Sequence, residues 1–103
     1  MRAGHHGSLI VDLRDDDIES AEELWSALSI RCALPTWFGR NLDAWNDTIT
    51  AGGISDIVDA HDEIVVLAAP RGIFAPGNEF GARFIEVSVA SGRASVTVAP
   101  ITR

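Results

Sequence analysis

The chain contains no lysine. Its eight basic residues are all arginines, set against fifteen acidic residues for a formal charge of −7. An acidic balance argues against nucleic acid or an anionic membrane as a direct partner, since both are polyanions, and it favours a basic protein partner. Cysteine is almost absent too. Cys32 alone excludes an internal disulfide and a cysteine zinc cluster, and it reads as a small buried hydrophobe rather than a reactive thiol. Apolar runs such as "IVVLAAP" fall far short of the roughly 20 residues that span a bilayer. The start, "MRAGHHGS", lacks the apolar segment of a secretory signal, so the cytoplasm is the expected compartment. Residues 1–7, with His5 and His6, read as a disordered tail, and residues 8–103 as one domain.

Enzyme signatures are also missing. "APRGIFAPG" has neither the lysine of a phosphate-binding loop nor the spacing of a dinucleotide fingerprint, and no G-x-S-x-G elbow occurs. His61 lies among Asp59, Asp62 and Glu63, but a hard-metal site needs several converging oxygen ligands, and a solvated acidic loop explains the cluster. Asp43 and Asp47 lack the nucleophile and the cleft that acid–base chemistry would need. Neither an enzyme nor a bound metal or cofactor is expected.

What is present is the pattern of a small α/β domain, with 47% apolar and 22% charged residues. "SLIVDLR" (Ser8 to Arg14) is short, apolar and bounded by polar residues, as a strand should be. Ser20 and Glu23 have capping-box spacing and open a helix whose buried side is marked by Leu24 and Leu28. Pro35 is expected to end that helix and Gly39 to allow a sharp turn; Asn41 is a good N-cap for the next one. There Leu42, Trp45 and Ile49 form an inward stripe, and Asp43, Asn46 and Asp47 lie on another face. "AGG" ends this helix, and "ISDIVDAHDE" is a polar connector with room for one helical turn. "IVVLAAP" (Ile64 to Pro70) looks like a strand buried on both faces. Asn78 caps a last helix carrying Phe80, Phe84 and Val87, Gly92 closes it, and "ASVTVAP" is the final strand. The order strand, two helices, strand, helix, strand implies a parallel sheet packed against helices.

"LPTWFGRNLDAWNDTIT", Leu34 to Thr50, resembles the defining stretch of the barstar family of ribonuclease inhibitors. Leu34, Pro35, Trp37, Phe38, Gly39, Asn41, Leu42, Asp43, Ala44 and Asp47 fit that family's pattern without a gap. The resemblance implies a three-stranded parallel sheet with helices and a cytoplasmic, bacterial inhibitor or immunity protein. Such a protein plugs the active site of a basic secreted ribonuclease and is a monomer when free. Lysine-free, alanine-rich usage also suits a GC-rich bacterial source. By resemblance Asp47 takes the place of a substrate phosphate, Asp43 adds a second carboxylate and Trp37 an aromatic contact, with Asn46 and Thr50 on the same helix. Anchored on Phe84, Glu86 supplies a further acidic group from the last helix.

Two departures stand out. Asn46 occupies the position of a family tryptophan, while Trp45 replaces a leucine. Either Trp45 stays in the core stripe or the helix rotates and presents it as a contact; its spacing from Leu42 and Ile49 favours the core. The stretch from Ala51 to Glu63 is also longer than the family's loop. The alternative function is a barstar-like interaction domain whose partner is not a ribonuclease.

Overall fold

Each α-helix among the described residues starts where a side chain accepts a backbone N–H that the helix leaves unbonded. In the computed structural model, which describes residues 7–100, Ser20 caps α1 (Ala21–Arg31) and Asn41 caps α2 (Leu42–Thr50). Ser55 caps α3 (Asp56–Asp59), the helical turn of the connector, and Asn78 caps α4 (Glu79–Ala90). The expected tail, residues 1–7, lies outside the described residues except for Gly7, whose carbonyl accepts the Asp62 N–H at 3.1 Å. The capping box is shifted by one residue at one arm. Ser20 Oγ accepts from the Glu23 N–H at 3.2 Å, but the Glu23 carboxylate reaches back to the Glu19 N–H at 2.7 Å instead of to Ser20.

Pro35 does not end α1. The helix stops at Arg31, and Ala33 adopts a left-handed φ of 49°, which brings the Leu34 N–H onto the Ser29 carbonyl at 3.1 Å. That is a Schellman closure, more often built on glycine, and Pro35 follows it.

Strands β1 (Ser8–Asp12), β2 (Glu63–Ala68) and β3 (Ala94–Val98) form a parallel sheet in the order β1-β2-β3, with Val66 between Val11 and Val96. This is the α/β architecture expected from the sequence. Both crossovers step in the same direction, and right-handed connections then put their helices on one face of the sheet. The reading of β2 as buried on both faces is corrected accordingly. Ile64, Val66 and Ala68 are fully buried, whereas Val65 and Leu67 are half-buried and neighbouring Ile10 is 55% exposed. Ser8, Asp12, Glu63, Ser95 and Thr97 complete the uncovered face and keep it wettable.

The core lies between sheet and helices. Trp25 meets Phe38, Phe80 and Phe84 edge-on at centroid distances of 5.8, 6.0 and 6.3 Å, and Trp45 stacks on Phe84 at 5.7 Å. Aromatic contacts of this kind add about 0.5–1.5 kcal/mol beyond the area they bury. A 3-10 turn, Gly72–Phe74, wedges against α4 at Gly81, where an added Cβ would stand only 1.9 Å from the Ile73 carbonyl oxygen. No helix among the described residues is long and apolar enough to cross a membrane.

Two outcomes follow from this packing. Gly81→Ala must displace the turn, and its urea midpoint should fall by the equivalent of about 1–3 kcal/mol with the slope unchanged. Cys32 is fully buried and loss of hydration pushes its thiol up to about 11. A thiol reagent at pH 8 should therefore label it only after denaturant has opened the fold.

Candidate functional site

The loop before α2 divides its aromatic pair between core and solvent. The Phe38 N–H donates to the Pro35 carbonyl at 3.0 Å, and the tight turn aims Phe38 inward at Trp25 while Trp37 remains 66% exposed. Gly39 is not the left-handed residue of this turn. Arg40 is, with φ of 53°. Gly39 serves by lacking a side chain, because a Cβ there would come within 3.2 Å of the Ala44 Cβ. Asn41 then ties loop to helix: Oδ1 accepts from the Ala44 N–H at 2.7 Å and Nδ2 donates to the Gly39 carbonyl at 3.1 Å.

The strained backbone at Arg40 is held by its own side chain. Nε donates to Glu22 Oε1 at 2.9 Å, and one terminal nitrogen donates to the Glu22 carbonyl at 2.9 Å and to Ser26 Oγ at 3.0 Å. These bonds staple the loop to α1. The sequence offers no signal for that role, since the family pattern accepts any residue at this position.

Orientation of α2 is set by Trp45. Its ring is fully buried, and the indole N–H donates to Ser88 Oγ at 3.0 Å, while the Ser88 hydroxyl donates to the Phe84 carbonyl at 2.8 Å. The core alternative for Trp45 therefore holds. With Trp45, Thr48 and Ile49 inward, Asp43, Asp47 and Thr50 stand on one exposed face and Asn46 is half-buried at its flank. The Thr50 hydroxyl donates to the Asn46 carbonyl at 2.7 Å. Beyond Thr50, Arg93 holds the chain in place by donating to the carbonyls of Ile49 at 2.9 Å, Val58 at 3.0 Å and His61. The connector is thus a packed element, with Ser55 and Val58 buried, rather than a loose acidic loop. Thr50, Asp59, His61 and Arg93 line a cleft of ≈ 430 Å³ at this end, and no metal-binding group occurs among the described residues.

Glu86 is placed on α4, two residues from each of the buried Phe84 and Ser88, and so on the outward side. It shares a shallow groove with Glu79, Ala82 and Arg83, none of them from α2. The carboxylate of α4 that shares a groove with α2 is Glu79, through Leu42. Sequence reasoning passes over Glu79 and Arg83, whose relation to α2 arises only from helix packing. It also misses Ser88, for which the one clue is a small polar residue on an apolar helical stripe.

Charge is distributed unevenly around this surface. Asp12, Asp16, Glu22 and Asp17 pair with Arg14, Arg31, Arg40 and Arg71, at 2.8, 3.0, 2.8 and 3.5 Å. Among the described residues no cation pairs with Asp43, Asp47, Glu79 or Glu86. The carboxylate with a strongly shifted pKa is Asp12, held at about 2 by hydrogen bonds from Arg14, and it belongs to an exposed pair at the end of β1. The shift marks a satisfied pair. Asp15, Glu19 and Asp56 share with Asp43, Asp47, Glu79 and Glu86 the lack of a paired cation among the described residues, so it is the place on α2 and α4 that makes the last four candidates.

If Ser88 orients α2, Ser88→Ala strands a buried indole N–H. Stability should drop by about 1–3 kcal/mol in chemical denaturation. Trp45 fluorescence should shift at the same time.

The comparison with protein families agrees with this fold. A family model described as Barstar (barnase inhibitor) matches residues 9–78, from β1 to the cap of α4. No curated protein sequence matches the chain. With more than half of its length matched, and with the sheet, the capped α2 and the loop before it in place, the chain belongs to the barstar family.

Proposed function

We propose that this protein inhibits a basic extracellular ribonuclease by occluding its active site with α2 and the preceding loop, and that it acts as a cytoplasmic immunity protein for the cell that makes the enzyme. The family supports an inhibitor of the barnase-inhibitor type. One observation carries the finer reading: Asp43 and Asp47 stand four residues apart on the exposed face of a rigid helix, with no cation among the described residues beside them. A ribonuclease holds phosphodiester oxygens with cationic groups, and a carboxylate competes for those groups through charge-assisted hydrogen bonds. Asp47 is assigned to that place, Asp43 to a second cation, and Trp37 to an aromatic contact beside them. Asn46, Thr50 and Glu86 flank these anchors.

Preorganisation supports the assignment. Asn41, Arg40 and the Trp45–Ser88 bond fix loop and helix before any partner arrives, so little ordering entropy remains to be lost on binding. The charge of −7 should also draw a basic enzyme into encounter, at a rate that falls with added salt. Barnase and its inhibitor are themselves the standard example of such steering.

Titration against the secreted basic ribonuclease encoded in the same genome tests the proposal. Asp47→Ala should weaken inhibition by about 2 kcal/mol or more, roughly thirtyfold in Kd, if Asp47 is a central anchor. Unchanged affinity would remove Asp47 from that role. Recovery of a non-nuclease protein by the chain from cell extract, with no inhibition of the ribonuclease, would favour an interaction domain with another target.

A further inference from the structure

We infer that Arg83 is a second recognition point, one that takes a carboxylate of the partner protein and so narrows which basic enzymes are accepted; the inference rests on the inhibitory reading above. Six arginines lie among the described residues. Arg14 and Arg31 bond Asp12 and Asp16, Arg40 bonds Glu22, Arg71 bonds the carbonyls of Arg14 and Asp16, and Arg93 bonds three carbonyls. Arg83 has no such partner among the described residues. It is exposed on α4 between Glu79 and Glu86, at the four- and three-residue spacings where helical side chains meet, yet it is paired with neither.

Its position gives the unpaired charge a use. Arg83 lines a shallow groove of ≈ 280 Å³ with Leu42, Glu79 and Phe80, and another of ≈ 460 Å³ with Glu79, Ala82 and Glu86. Leu42 is the first residue of α2 and the neighbour of Asp43, so the first groove borders the acidic face. Leu42 and Phe80 give that groove apolar sides, and a partner seated over it would exclude water, which strengthens an ion pair relative to one on an open surface. Five N–H donors in a planar fork match a carboxylate geometrically. A partner that covers Arg83 while meeting Asp43 and Asp47 would desolvate an unpaired guanidinium unless it carries an acidic side chain opposite. Such a cation within an anionic face acts as a selective element, penalising basic proteins that lack the matching carboxylate. Arg83 lies outside residues 9–78, so the family match does not account for it.

The sign of one substitution tests this. Inhibition of the same secreted basic ribonuclease is measured for the wild type, Arg83→Glu, Arg83→Gln and Asp47→Ala, with thermal melts confirming that each variant is folded. Arg83→Glu should weaken inhibition about tenfold or more, and Arg83→Gln by a smaller factor, through faster dissociation. Simple attraction between opposite net charges requires the reverse, because both substitutions make the chain more acidic. Equal or tighter inhibition by Arg83→Glu, with Asp47→Ala still weakened, overturns the role of Arg83 alone. A wild type that fails to inhibit overturns the reading beneath it as well.

Discussion

The buried contact of Trp45 with Phe84 and Ser88 is the constraint on which the rest of the surface depends. It joins the helix that carries the unpaired aspartates to the helix that closes the core, with a stacked ring pair and a hydrogen bond that can form in one rotational setting of α2. A rotation by one residue would bring Asn46 toward the core and leave an indole N–H without its partner. Burying an unsatisfied donor costs about 1–3 kcal/mol, and displacing a packed indole costs more, so the outward direction of Asp43 and Asp47 is fixed by the interior. The same bond offers an account of Asn46. With the large aromatic moved one position inward, the flank of α2 needs only a half-buried polar residue.

Electrostatics then separates carboxylates that tie elements together from those left facing solvent. Carboxylates that build the framework are satisfied: Asp12 by Arg14, Asp16 by Arg31, Glu22 by Arg40. Asp43, Asp47, Glu79 and Glu86, on the outer faces of α2 and α4, pair with no cation among the described residues. The division is structural as well. Arg40 consumes its charge in stapling the loop to α1, so the one arginine between Leu34 and Thr50 does not neutralise the aspartates beside it.

Much of this is legible in residue order. Asn41 as a cap, Leu42, Trp45 and Ile49 as an inward stripe, and the alternation of strands and helices each follow from local rules of period and capping, and each is observed. The departures have local causes too. Pro35 suggests an end to a helix that Ala33 has already closed, and Gly39 suggests a conformation that Arg40 adopts, because backbone strain in a residue with a side chain has no sequence signature. The apolar run of β2 suggests two covered faces; strand order, invisible in a single strand, leaves one of them open.

By itself the sequence determined the elements, their caps, the inward stripe of α2 and the acidic residue types available to a partner, since all of these are interactions over three or four residues. Only the tertiary structure decided which face those residues occupy and which charges are already spent. Trp45 and Ser88 are 43 residues apart, Arg40 and Glu22 are 18 apart, and the groove that joins Leu42 to Glu79 and Arg83 exists because α2 and α4 pack on the same face of one sheet. Contacts of that range are set by the crossing of helices over a sheet, and a linear pattern cannot specify them.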